Sequence, residues 1–333
     1  MKITINEDVV LEGQQFHPES FPHVIAMQPS AATLEDVRAW IQTEKSNLLD
    51  RLALHGTLLF RGFPLAGADD FDAFIRAFDL DSFTYEESLS NAVRINKTDL
   101  VFTANEAPPE VSIFLHHEMA QTPLFPSRLF FYCEQAPTTD GQTPLCRSDV
   151  LLDQIEQELP EFVEKCVHNG VRYSNIMPGH DDPESGQGRS WRSTLGVTSK
   201  SEAESFLDKR GYRYEWLANE VLRATTAAMP AVRTLQDGRR VFFNQLIAAF
   251  RGWSVAPNDS RKAICFGDDS DIPTDAMQRV SDLADDLSFD VAWQTGDVAL
   301  VDNFLVMHGR RPFSGKRCVL VSLVSDDGSR LAA

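Results

Sequence analysis

Apolar positions recur with helical spacing over residues 33–56, "TLEDVRAWIQTEKSNLLDRLALHG", which predicts a helix opened by Thr33 with Glu35 and Asp36 and stopped by Gly56. The run "TLLFRGF" (57–63) predicts a buried strand, and "GADDFDAFIRAFD" (67–79) a second, shorter helix. Strands follow at 92–97, 112–120 ("SIFLHHEMA") and 127–135 ("SRLFFYCEQ"). Helical spacing returns at 148–170, where Pro160 ends one helix and opens the next. "VRYSNIM" (171–177) is strand-like, and 179–194 is polar and glycine-rich, the composition of a loop. Strands are predicted at 227–235 and 241–250 around the turn "QDGRR", then a helix near 274–287 and apolar strands within 297–324. Regular strand–helix alternation is missing, so a parallel α/β sheet is disfavoured. The pattern predicts a mainly β chain with helices (α+β), its strands closed into a double-sheet roll or barrel with helices at the front and inserted in the middle.

The 333 residues read as one domain, 1–333, with a core over about 57–323 and a helical insert over about 148–290. A net charge of −18 disfavours nucleic acid and anionic membranes as partners. It also means that an anionic substrate needs a local cluster of arginines. The five cysteines are scattered without a CxxC pair, and the start "MKITINEDVV" lacks an apolar signal core, so the expected location is the cytoplasm.

The chemistry concentrates in "FLHHEMAQ" (114–121). On a strand, residues two apart share a face, so His116 and Glu118 can converge on one ion while His117 points away. A third ligand must come from elsewhere. Of eight histidines, His308 directly follows an apolar strand run and precedes the arginine-rich "GRRPFSGKR". Two imidazoles and one carboxylate match the facial triad of non-haem Fe(II) oxygenases, which leaves positions open for a bidentate 2-oxo acid and O₂. The far carboxylate of a 2-oxo acid calls for a guanidinium, and Arg317 heads the last apolar strand. Zinc is the competing metal, although the helical HExxH signature of zinc hydrolases is absent.

Taken together, "GTLLFRGF", "TANEAPPEVSIFLHHEMA", "GQTPL", "VFFNQ", "GDVALVDNFLVMHGRRPF" and "KRCVLVSL" resemble the taurine dioxygenase/clavaminate synthase-like superfamily of Fe(II)- and 2-oxoglutarate-dependent oxygenases. The resemblance implies a double-stranded β-helix (jelly-roll) core, iron on His116, Glu118 and His308, and 2-oxoglutarate on Thr143 and Arg317. His308 and Arg317 are closer in sequence than in several amino-acid hydroxylases of the superfamily, which makes Arg310 and Arg311 the alternatives. Val321 stands where relatives carry a second arginine for the substrate carboxylate, so substrate binding must be arranged differently here. Glu118 in place of Asp resembles the clavaminate synthase and asparagine hydroxylase branch, and excludes a halogenase, which needs a small residue there. The implied activity is hydroxylation of an unactivated carbon in an amino acid or amino-acid-derived metabolite of secondary metabolism. Oxidation of a sulfonate or other small organic acid, or a catalytically silent binding role, are the competing functions. Candidate substrate contacts are Asn105, Asn244, and Arg189 and Arg192 in the 179–194 segment, read as a lid over a carboxylate-bearing substrate that is free or tethered to a carrier protein.

Overall fold

The computed structural model describes residues 3–17, 19–29, 31–83, 94–104, 107–181, 188–253, 263–325 and 331. Among these, two sheets face each other across one core. The larger runs in the order Ile5–Asn6, His23–Met27, Thr57–Arg61, Val298–Asp302, Arg128–Gln135, Cys318–Ser325, Asp81–Ser82, and Phe102–Thr103 also pairs with Cys318–Ser325. The smaller runs Ser288–Val291, Thr143–Arg147, Val306–Arg310, Ile113–His116. Pairing is antiparallel throughout the smaller sheet, and in the larger one only His23–Met27 and Thr57–Arg61 run parallel.

Alternate side chains of each strand go to different cores. Leu59, Phe131, Ala299 and Val321 of the larger sheet meet Leu145, Phe289, Val291 and Val306 of the smaller one between the layers. The neighbouring residues Phe60, Phe130, Leu300 and Leu320 face outward, onto the helices Leu34–His55 and Ala68–Ala77. Cys146 and Met307 likewise face the helices Ser148–Glu158, Pro160–Asn169, Leu246–Gly252 and Thr274–Asp286. Burial on both faces is why these strands read as continuous apolar runs rather than as alternating ones.

Local signals set the helix ends. The Thr33 side chain accepts from the Asp36 N–H while the Asp36 carboxylate accepts from the Thr33 N–H, a capping box that starts the first helix. Gly56 closes it at φ 77°, and its N–H donates to the Leu52 carbonyl. Pro160 occupies the first turn of its helix.

The structure departs from the sequence expectations in four places. The predicted 112–120 strand ends at His116. Of the predicted strands at 227–235 and 241–250 only Arg233–Thr234 and Arg240–Val241 are strand, and Leu246–Gly252 is a helix burying Leu246, Ile247 and Ala249. A continuous apolar run fits either period, and packing against Ile113–His116 and the last long helix decides for the helix. In the 179–194 segment, Ser190 caps a short helix, Trp191–Leu195, whose Trp191 is fully buried. Of the 92–97 strand, residues 92 and 93 lie outside the described residues, and Asn96 makes a single bridge to Phe102. A further four-stranded sheet (Arg213–Trp216, Leu222–Thr225, Val171–Met177, Ile264–Phe266) and the helix Lys200–Asp208 build a side unit with its own small core of Met177, Trp191, Leu207 and Leu222. No helix among the described residues is long and apolar enough to cross a membrane.

Candidate metal centre

Antiparallel pairing sets His308 directly opposite His116. The register shifts just after His308, and Gly309 fills the narrow point: a Cβ there would lie 2.4 Å from the Ile113 carbonyl oxygen. Beyond His116 the chain leaves the sheet and turns, with Met119 at φ 59°. The alternation of side chains nonetheless continues across His117 and Glu118, because this turn is fastened at both peptides. The His117 N–H donates to the Asn244 carbonyl, and Gln245 Nε2 donates to the His117 carbonyl at 2.9 Å. The Glu118 N–H donates to Asn303 Oδ1 at 2.8 Å, while Asn303 Nδ2 donates to the carbonyls of Glu118 (3.1 Å) and Pro126 (2.7 Å). His117 is thereby turned away from its neighbours. Its Nδ1 hydrogen-bonds the Asn303 carbonyl at 2.5 Å and its ring packs 4.8 Å from Phe243.

One donor atom each from His116, Glu118 and His308 falls within 4.8 Å of the others. Glu118 Oε2 lies 3.5 Å from His308 Nε2 and 3.9 Å from His116 Nε2. His116 Nδ1 donates to the Phe114 carbonyl at 2.8 Å, which fixes the tautomer and leaves the Nε2 lone pair facing the cluster. Burial, with the nearby His308, pushes the His116 pKa down to about 4, so the ring is neutral and ready to ligate. Burial alone would raise the Glu118 carboxyl, but the Arg94 guanidinium 3.1 Å from Oε1 and the two histidines outweigh it and hold the pKa at about 2. The centre therefore brings two imidazoles and one carboxylate together at a largely buried position, a donor set suited to a divalent transition metal with open positions.

Leu145 pairs with His308, and Thr143, two residues further along the same strand and about 7 Å from Leu145, is on the same interior face. Thr143 Oγ1 receives Trp293 Nε1 at 2.9 Å and Arg317 Nη2 at 3.3 Å, and Arg317 Nε donates to the Gly141 carbonyl at 2.9 Å. Burial, and then the charge of Arg310, lower the Arg317 pKa to about 10. Among the described residues no carboxylate forms an ion pair with it. The alternatives have other contacts. Arg310 donates to the carbonyls of Ala107, Pro108 and Val111, and Arg311 pairs at the surface with Asp290 at 3.0 Å.

The candidate substrate residues are not gathered in the same way. Asn105 lies outside the described residues, as do residues 182–187 of the segment read as a lid. Arg192 pairs with Glu220 at 3.1 Å, donates to the Gly179 carbonyl and stacks on Trp191, while Arg189 donates to the Ser193 carbonyl. Asn244 is buried, and both ends of its amide bond backbone, at Ala231 and Leu246. Two residues at the centre escaped the sequence reading. Arg94 carries no local signal, since only packing brings it to Glu118. Asn303 does carry one: the polar pair Asp302–Asn303 interrupts the apolar run that leads to His308, and both residues are completely buried.

Residues 20–323 match the taurine catabolism dioxygenase TauD, TfdA family. A clavaminate synthase-like protein of Arabidopsis thaliana is 38% identical over 318 residues, covering 93% of this chain and 96% of that protein. The dapdiamide synthesis protein DdaC of Enterobacter agglomerans is 29% identical over 289 residues, 82% of this chain and 83% of that one. Among solved structures, the fold is shared with a taurine dioxygenase from Burkholderia xenovorans (TM-score 0.53, 14% identity, covering 99% of this chain and 94% of that one). It is also shared with PvcB, an Fe, α-ketoglutarate-dependent oxygenase from an isonitrile synthetic pathway (TM-score 0.55, 14% identity, covering 99% and 93%). By the extent of these matches, the chain belongs to the TauD, TfdA family of dioxygenases.

Proposed function

We propose that this chain is an Fe(II)- and 2-oxoglutarate-dependent dioxygenase that hydroxylates an unactivated carbon of an amino acid or amino-acid-derived metabolite. The observation that carries the reading is the convergence of His116, Glu118 and His308 on the same interior face as Arg317, a desolvated cation with no carboxylate partner among the described residues. The relatives named for clavaminate synthase and dapdiamide synthesis support an amino-acid-derived substrate. In this reading the two facing sheets are the two faces of a double-stranded β-helix, and the chain is one oxygenase domain.

Bound iron with 2-oxoglutarate supplies the reducing equivalents by which dioxygen is activated for attack on a C–H bond. The protein's own residues hold and shield that chemistry. His116 and His308 offer neutral ring nitrogens, and Glu118 supplies one negative charge. Arg94 occupies Oε1 of Glu118 and so leaves Oε2 turned toward the histidines. Arg317 and the Thr143 hydroxyl together form a cationic, hydrogen-bonding seat for the distal carboxylate of the 2-oxo acid. Phe131, 5.2 Å from the His308 ring, belongs to the apolar wall that keeps bulk water from the centre.

The test is a mass-spectrometric screen of amino acids and their conjugates with Fe(II), 2-oxoglutarate and O₂, read both as succinate and as product gaining one oxygen atom. Iron-dependent succinate that rises with one substrate class supports the reading. The absence of both iron-dependent succinate and Mn(II)-dependent binding of 2-oxoglutarate would sink it.

A further inference from the structure

A second cation near the metal turn lacks an anionic partner. Arg233, on the short strand Arg233–Thr234, lies with its guanidinium carbon 5.0 Å from the ring centre of Phe125 and 5.3 Å from that of Phe243. Its Nε is buried without a hydrogen-bond acceptor, and among the described residues no carboxylate pairs with it. Several other arginines near the insert hold one: Arg251 has Asp285 at 2.6 Å, Arg192 has Glu220 and Arg311 has Asp290. Removing a guanidinium from water without a counter-ion is unfavourable, and burial lowers its pKa accordingly. Such a group fits a site that an anion completes.

Both flanking rings are tied to the metal centre. Phe243 packs on His117 and precedes Asn244, whose carbonyl holds the His117 N–H. Phe125 follows the turn that carries Glu118 and packs 4.9 Å from Phe243. Nearby, a small, partly open cleft of about 40 Å³ is walled by Gln121, Tyr173, Asn175, Tyr212 and Trp253, among others, and none of the described residues that line it is charged. Gln121 lies three residues past Glu118, so its Cα is at most about 11 Å from that of Glu118. Its Oε1 is buried and accepts no hydrogen bond. Tyr173 joins the two features, since it lines the cleft and its hydroxyl accepts from the Gln245 N–H at 3.0 Å, two residues past the Phe243 that Arg233 stacks on.

We propose that Arg233 anchors a carboxylate of the substrate, whose uncharged body occupies this cleft and donates an N–H or O–H to Gln121 Oε1. The assignment rests on reading the metal centre as that of a 2-oxoglutarate-dependent oxygenase. It moves the charge recognition away from Arg189 and Arg192, which are engaged within the side unit, and it accounts for the loss of the arginine that Val321 replaces.

The experiment is thermal unfolding and equilibrium titration of the Mn(II)-loaded protein saturated with 2-oxoglutarate. The probes are the L-amino acids, their amides, propionate, propionamide and propanesulfonate. The wild type should be stabilised by one or more carboxylates and not by the matching amides. R233M should bind the same carboxylates at least tenfold more weakly, with R233K between the two. Ligand-free R233M should unfold at a higher temperature than the wild type, because its side chain keeps the contact with Phe125 and Phe243 without the partly buried, unpaired charge. Acids and amides acting alike, no stabilisation by any carboxylate, a preference for propanesulfonate, or a ligand-free R233M less stable than the wild type would each overturn the assignment. Absence of any response to 2-oxoglutarate itself would instead remove the oxygenase reading on which it rests.

Discussion

Asn303 gives the sharpest test of how the fold holds the turn of the proposed metal centre. The residue is fully buried, and its side chain makes three hydrogen bonds, one from the Glu118 N–H and two to the carbonyls of Glu118 and Pro126. At about 1 kcal/mol net per bond, N303A should destabilise the protein by about 3 kcal/mol, and by more if the stranded backbone groups find no water. N303D keeps the acceptor for the Glu118 N–H but places a carboxylate oxygen against two carbonyls. Burial and those dipoles raise the pKa of the new carboxyl, so its penalty is full above that pKa and eases as pH falls through it. Urea unfolding measures the stability, and Mn(II) or Co(II) titration measures the site. Metal affinity should drop at least tenfold in both variants, because Glu118 loses the support that holds its peptide, whereas the strand ligand His116 keeps its own bond to Phe114. If N303A lies within about 0.5 kcal/mol of the wild type, the ordinary range for inconsequential surface changes, and binds metal normally, the bridging role is refuted.

H116A should abolish metal binding and turnover, while H117A should retain part of both and lose stability instead. Titration with Fe(II) under nitrogen checks this, and the reverse ranking would mean that the turn presents the other ring. R317K should raise the 2-oxoglutarate requirement strongly with metal affinity nearly unchanged, since lysine cannot keep the two-point contact with Gly141 and Thr143; an unchanged requirement would redirect attention to Arg310. His23, stacked on His55 and accepting a hydrogen bond from Arg51, has its pKa pushed down to about 4, first by burial and then by those neighbours. Unfolding then takes up a proton between about pH 6.5 and the folded value, so stability is present above that window and falls within it by up to about 1.4 kcal/mol per pH unit. Equal slopes in urea unfolding of wild type and H23N between pH 4 and 6.5 would refute this.

Several features were legible in the chain because they are local. Helix ends at Thr33, Gly56 and Pro160 follow from capping and backbone preference, which act within a few residues. The His-x-Glu spacing and the strand before His308 also identified residues that the fold brings together, although the reason differs in part. Strand alternation accounts for His116 only; Glu118 is aimed by a turn whose partners lie more than 100 positions away in sequence, at Asn303 and Gln245. Long-range contacts also decided that 246–252 is a helix, since an apolar run without turn residues fits either period until a neighbour selects one. Charges were the least legible. Arg189 and Arg192 look available in sequence because both flank a tryptophan in a polar segment, yet that tryptophan is a core residue and Arg192 has Glu220. Arg94 and Arg233 look ordinary, and their significance comes from desolvation and from which carboxylates are within reach. Both are properties of the packed molecule, which a pattern along one dimension does not encode.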